Sequence, residues 1–448
     1  MNSRDSALDR DVWRIALPMI LSNISVPLLG MVDTGVTGHL EDAAYLGAVA
    51  IGATVFGFLY TGVNFLRMGT TGIAAQSFGA DDAEGLRTSL GQALIVALAI
   101  AFLLLLLQRP IGIFALDMIG ADENTRAFAA EYFFIRIWSA PATLANYALI
   151  GWFIGLQNAR IPLLIVLVTN LANIALDFLL VFVFDMKVAG VAAASVIAEF
   201  SGMIAGLAIA TAELKRRGGQ WDRSRLLKLR AYTGFLAVNG HLFVRTMALM
   251  FTFGFVTAQG ARQGALVLAA NAILMNLQSL LSFALDGFAH AAEALVGKAV
   301  GAKSRLSLQR SVAVTLRWSL YVAIGFGALF LATGPLFIRM LTDLPEVRET
   351  TLRYLPWMVV SPIVSVWSFL YDGVFVGATR AREMRDIMLV STFAVFIPSF
   401  FAFRFLGNDG LWLAFMLFMA SRGVGMHLFY KRRLLPALPV PASPLSET

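Results

Sequence analysis

Asp33 lies in the run Val12 to Thr37, which is apolar enough to cross a bilayer and whose other charge is Arg14 near its start. A charged carboxylate inside a membrane helix costs roughly 2.5–3.5 kcal/mol on insertion scales, so the acid needs a function or a partner. Out of water a carboxyl favours its uncharged form unless it is paired. Asp33 is therefore a candidate proton-binding group; the competing reading is a structural ion pair or an end cap. Asn170, Asn173 and Asp177 follow at i, i+3 and i+7, on one face of one helix. A second stripe joins Ser279, Ser282, Asp286, His290 and Glu293, and a third joins Ser361, Ser365, Ser368 and Asp372. Such faces avoid lipid, so each either lines a cavity or binds helix to helix.

The bases inside apolar segments are Arg67, Arg136, Arg245, Arg317 and Arg422, each expected beside an acid. Asp286 and Asp372 are expected to be held by Arg245 or Arg317. Asp286, His290, Glu293, Asp372 and Arg245 thus form a candidate polar cavity in the second half. Asp33 and Asp177 share the half that offers few bases besides Arg67 and Arg136, which favours a protonatable acid there.

Nothing in the chain suggests an enzyme. It has no Walker phosphate loop, so ATP is not the driver, and no nucleophile–base constellation. With no cysteine there is no disulfide and no thiolate metal site; the four histidines have no ligand spacing, and no metal or cofactor is expected. The 448 residues are 58% hydrophobic and 14% charged, with a mean hydropathy of +0.75. These values belong to a polytopic helical membrane protein. The net charge of +7 sits in short loops between spans. That is the positive-inside pattern, and it outweighs a nucleic-acid reading.

The elements that must position these residues are twelve spans, roughly 12–37, 46–76, 88–108, 128–157, 162–184, 188–213, 231–258, 265–299, 311–334, 351–378, 384–405 and 410–430. Basic residues cluster at 214–230 (Lys215 to Arg230), after span eight (Lys298, Lys303, Arg305, Arg310), after span ten (Arg380, Arg382, Arg385) and after span twelve (Lys431, Arg432, Arg433). Both termini are therefore expected in the cytoplasm. The polar start, Met1 to Asp11, leads into a full-length span, so no cleavable leader is expected. A constant offset of 222 relates the halves without a gap from about residue 34 to 160: Gly38 meets Gly260, Gly79-Ala80 meets Gly301-Ala302, Ser139 meets Ser361 and Gly155 meets Gly377. The expected architecture is all-α, with two six-helix bundles related by a pseudo-two-fold axis along the membrane normal. The bundles are 1–213 and 231–435, joined by a basic cytoplasmic linker at 214–230, with a disordered tail at 436–448. Gly79-Ala80-Asp81-Asp82 is read as a helix cap. Pro18 and Pro27 lie inside the first span and are candidate hinges.

Leu17-Pro18-Met19-Ile20, Val32-Asp33-Thr34 and Gly38, with twelve spans and a six-plus-six repeat, resemble the multidrug and toxic compound extrusion (MATE) transporters over nearly the whole chain. Leu66 to Gly72, Leu285 to Ala289 and Asp372 to Ala381 are similar to its DinF branch in Gram-negative bacteria. The resemblance implies antiport, with entry of protons or sodium driving export of organic drugs and dyes by alternating access from the inner membrane. It implies a proton site at Asp33, networked with Asn173 and Asp177 and completed by a hydroxyl residue on span six, Ser195. It also implies that the first span bends at Pro18. The sodium-coupled branch has a Glu on span seven, where Arg245 stands here, so protons are favoured over sodium. The expected function is proton-coupled export of amphipathic, mostly cationic compounds by a monomer in the lipid bilayer. A sodium-coupled exporter, a lipid-linked saccharide flippase, a membrane enzyme and a scaffold are the alternatives.

Overall fold

The computed structural model describes residues 3–439. The first half runs through α1 (Ser3–Gly38), α2 (Ala43–Val63), α3 (Phe65–Gly79), α4 (Ala83–Leu106), α5 (Gln108–Ile119), α6 (Glu123–Arg136), α7 (Ala140–Gly155), α8 (Arg160–Asp177) and α9 (Lys187–Arg217). The short α10 (Arg223–Leu227) precedes the second half, which holds α11 (Thr233–Arg262), α12 (Ala265–Gly301), α13 (Arg305–Leu341), α14 (Pro345–Gly377), α15 (Ala381–Leu389), α16 (Ile397–Phe403) and α17 (Asn408–Phe429). No strand occurs among the described residues.

Eleven helices among the described residues are long and apolar enough to span a membrane. The fourth expected span, 128–157, is divided. α6 stops at Arg136, a 3-10 turn covers Ile137–Ser139, and α7 restarts with Pro141 in its first turn. Its counterpart α14 runs unbroken through Pro356 and Pro362. A second break at Asn64 separates α2 from α3, whereas the equivalent α12 is continuous. These two breaks have no counterpart in the second half.

The repeat is visible in the backbone. Asp81 and Gln157 take positive φ of 52° and 61°, and 222 residues later Lys303 and Thr379 take 52° and 53°. The expected cap holds: Asp82 Oδ1 accepts from Gly85 N at 2.8 Å to start α4, and Ser304 does the same for Ser307 N before α13. Close helix packing recurs as well. A Cβ at Gly151 would lie 2.3 Å from the Arg67 carbonyl oxygen, and one at Gly155 2.8 Å from that of Thr71. The corresponding Gly373 and Gly377 face the carbonyls of Ala289 at 2.2 Å and Glu293 at 2.4 Å. Lipid tails are as apolar as the helices, so association rests on such backbone proximity. Gly373→Val, colliding with main chain that cannot move aside, is expected to destabilise the protein by 3 kcal/mol or more, above the roughly 1–3 kcal/mol of ordinary overpacking. Gly325→Ala, in open space, should leave thermal unfolding in detergent unchanged. Equal melting of both variants would overturn this account.

The contacts divide the chain into two compact units, one Leu21–Leu236 and the other joining the first helix up to Ile20 to the chain from Ala237 onward. The expected bundles are 1–213 and 231–435; the contact division falls at 20/21 and 236/237. The early turns of α1 are held in the second unit. Trp13 packs edge-on against Phe288 at 5.3 Å and Trp318 at 5.2 Å. Asp9 accepts from Arg317 and, at 2.7 Å, from Trp318 Nε1. Gly287 leaves room for Ile20 and the Ala16 carbonyl. The basic segment 214–230 belongs wholly to the first unit. Of the expected tail, residues from 440 on lie outside the described residues.

Candidate functional site

α1, α8 and α9 bring Asp33, Asn173, Asp177 and Ser195 together. Asn170 Nδ2, one turn before Asn173, donates to Ser25 Oγ at 3.2 Å and to the Ser25 carbonyl at 3.3 Å, fastening α8 to α1. The amide orientation of Asn173 that satisfies both of its ends has Nδ2 donating to Asp33 Oδ1 at 3.2 Å. Its oxygen then accepts from Ser195 Oγ at 3.2 Å and Ser195 N at 3.1 Å. Asp177 is fully buried, closing α8 where the helix widens into a π-helical stretch, Phe178–Val183. Neither of its oxygens meets an N–H or O–H donor, and the Asp33 carboxyl lies beside it. Two carboxyl groups attract each other only when at least one carries a proton. Asp33 is half-buried and opens on a cavity of about 230 Å³ lined by Gly30, Thr34, Leu46, Val49, Ala50 and Ala53. Drug-sized pockets begin near 300 Å³, so this space fits a file of waters, each occupying about 30 Å³.

Farther along the same unit, Tyr60 and Ser139 share a hydrogen bond of 2.8 Å, and Arg136 Nη1 donates to Ser139 Oγ at 3.0 Å. Arg67 Nε donates to Asn64 Oδ1 at 3.3 Å. Both helix breaks thus carry polar side-chain bonds. Asp33 and Asp177 form no ion pair among the described residues, and Arg136 bonds a hydroxyl instead.

The second half is held in the opposite way. Asp372 Oδ2 accepts from Arg245 and, at 2.6 Å, from Arg422 Nη2, all three being buried. The expected partner Arg245 is in place. Arg317 is not, since it binds Asp9. His290 Nδ1 lies 3.4 Å from Glu293 Oε1 on the next turn of α12, and Asp286 is within electrostatic reach of Arg422. The serine stripe of α14 serves packing: Ser361 donates to Gln278 Oε1 at 2.6 Å and Ser368 to the Ser365 carbonyl at 2.8 Å.

The sequence matches the MatE family over residues 18–179 and again over 241–402, the second stretch beginning and ending 223 residues after the first. The chain belongs to the MatE family. Among MatE relatives, DNA damage-inducible protein F of Escherichia coli (strain K12) is 42% identical over 424 residues, which cover 95% of this chain and 92% of that one. This agrees with the DinF-like motifs. A MATE transporter crystallised in the bent conformation superposes with a TM-score of 0.88 at 17% identity, covering 98% of each chain. The Vibrio cholerae MATE transporter VcmN in its bent form gives 0.85 at 19% identity, covering 97% of this chain and 99% of that one. At these identities the likeness extends to the twelve-helix MatE fold alone.

The MatE chain also holds an intramembrane acid that the stripes did not single out. Glu199, one turn beyond Ser195 on α9, accepts from Asn146 Nδ2 at 2.9 Å through its carboxylate and at 3.0 Å through its carbonyl. The i+4 spacing from Ser195 was the available signal. Arg422 was expected beside an acid, but nothing in the sequence assigned it to Asp372, for which Arg245 and Arg317 were the candidates.

Proposed function

We propose that this MatE-family efflux transporter exchanges protons for amphipathic, mostly cationic organic compounds, with Asp33 and Asp177 as the exchanging acids. The observation that carries this reading is the contrast between its two buried acid sites. Asp33 meets an amide, a second carboxyl and a cavity, with no base bound to it. Its carboxyl can therefore gain or lose a proton without breaking an ion pair. Deprotonated, it attracts a cation; protonated from outside, it lets the cation go. Asn173 and Ser195 orient Asp33, and Asn170 keeps α1 in register with α8. Pro18 and Pro27 remove the main-chain bonds to the Arg14 and Asn23 carbonyls, loosening the first helix on either side of Ile20.

The same contrast disfavours sodium. Two guanidiniums already occupy the Asp372 carboxylate, and Arg245 stands where the sodium branch has its span-seven Glu, so a cation there meets like charge. With basic segments in the cytoplasm, both termini lie on that side and export proceeds from it. The test uses purified protein in liposomes. Adding a cationic dye should release protons, and dye export at fixed pH should be unchanged when sodium is replaced by potassium. Export that requires sodium would overturn the proton assignment, and binding without proton release would overturn the exchange.

A further inference from the structure

The segment from Gly218 to Tyr232 is fastened along the flank of α4. Arg87 Nη2 donates to the Leu214 and Gly218 carbonyls at 2.5 and 2.6 Å, and its guanidinium lies over Trp221 at 5.7 Å. Gln92 Nε2 donates to the carbonyls of Arg225 and Ala231 at 3.2 and 3.1 Å. Gly91 packs closely on the segment: a Cβ there would lie 2.7 Å from Leu226 Cδ2 and 3.1 Å from Trp221 Cζ3. Asp222 starts α10 by accepting from Ser224 N at 2.9 Å and Arg225 N at 3.2 Å. The Ser224 hydroxyl first, and then these amides, hold its carboxyl below the usual range. The cap is therefore charged at neutral pH, and the stability it adds is lost only as pH falls through that lowered value.

Gly91 lies eight residues into α4, about 12 Å of helix. The expected span begins at residue 88, so at Gly91 the segment runs beside a membrane-crossing helix about 4.5 Å past that start. Its side chains are sorted oddly for a loop in water: Leu227 is 79% exposed and Leu229 88% exposed, while Arg223, Arg225, Lys228 and Arg230 alternate with them and are also exposed. Arg225 pairs with Asp222 at 3.1 Å; exposed leucines beside the remaining cations, Arg223, Lys228 and Arg230, suit the headgroup layer of a bilayer, where alkyl groups enter the acyl boundary and cations meet phosphates.

We infer that Trp221 to Arg230 docks on anionic phospholipid, with Leu227 and Leu229 inserted among the lipids and the flanking Arg and Lys side chains on their phosphates. Each basic residue near an anionic surface favours contact by about five-fold. The chain contains no cysteine, so a nitroxide at Leu227→Cys or Leu229→Cys reports one site without background; Glu84→Cys, at the exposed start of α4, serves as the aqueous reference. The full-length protein is placed in phosphatidylcholine vesicles with and without phosphatidylglycerol, and collisions with oxygen and with a water-soluble nickel chelate are compared. With phosphatidylglycerol, labels at 227 and 229 should meet oxygen far more than nickel, the reverse of the reference. Adding Arg223→Gln, Lys228→Gln and Arg230→Gln should lower their lipid-to-water partition by roughly a hundred-fold. Water-like access with phosphatidylglycerol present would overturn the proposal. So would shielding from both probes, which marks a protein partner, or lipid access indifferent to phosphatidylglycerol and to the cations. Transport plays no part in this readout, so it stands or falls apart from proton exchange.

Discussion

Asp33→Asn is expected to reduce dye-dependent proton release to the level of empty vesicles and to abolish drug resistance, while the protein still reaches the membrane at wild-type yield. The sparing of the fold follows from geometry. The Asn side chain keeps an oxygen for the Asn173 amide, and no direct ion pair is broken, Arg136 being bonded to Ser139. The stability at stake is about one hydrogen bond, roughly 1 kcal/mol. What disappears is the ability to change charge, and with it the alternation between attracting and releasing a cation. Asp177→Asn should impair exchange without eliminating it, since Asp33 still faces the cavity. Normal export by Asp33→Asn would remove the assignment, whatever the fate of the protein's stability.

The second large effect is structural. Asp372→Asn leaves Arg245 and Arg422 buried without their shared counter-charge, and breaking a buried pair in this way costs about 3–5 kcal/mol. Loss of a monodisperse, thermally stable species in detergent is expected. Arg422→Gln should be milder, because Arg245 and Asp372 remain as a balanced pair, and Asp372→Asn with Arg422→Gln should not be as stable as Arg422→Gln alone. If Asp372 were instead an ion-binding acid, Asp372→Asn would fold normally and lose transport. Thermal unfolding beside dye export separates the two.

Much of this was legible from spacing. Asn170, Asn173 and Asp177 had to share a helix face, and the 222-residue offset had to reflect a duplicated scaffold, which the paired left-handed residues and paired glycines bear out. Hydropathy was blind wherever tertiary contacts overrode a uniform apolar run. Residues 128–157 read as one span with Pro141 inside it, yet the helix interrupts just before that proline, at Ile137–Ser139, where Ser139 bonds both Tyr60 and Arg136. Likewise nothing in the sequence near Asp9 announces that Arg317 and Trp318, some three hundred residues away, will hold the first helix up to Ile20 in the second unit. Ion-pair choice was half legible. Arg245 beside Asp372 could be expected; a second guanidinium on the same oxygen could not.

The duplicated scaffold carries unduplicated chemistry: the positions equivalent to Asp33, 222 or 223 residues on, are Phe255 and Val256. If the exchangeable hydrogens reside on Asp33 and Asp177, a turnover carries two at most, and this limit fixes which form of stored energy the machine can use. One inward proton against one outward monovalent cation is electroneutral, so voltage drops out and a unit of pH difference sustains a ten-fold gradient of cargo. A second proton makes the cycle electrogenic, and each 100 mV then adds about 2.3 kcal/mol, close to a further fifty-fold.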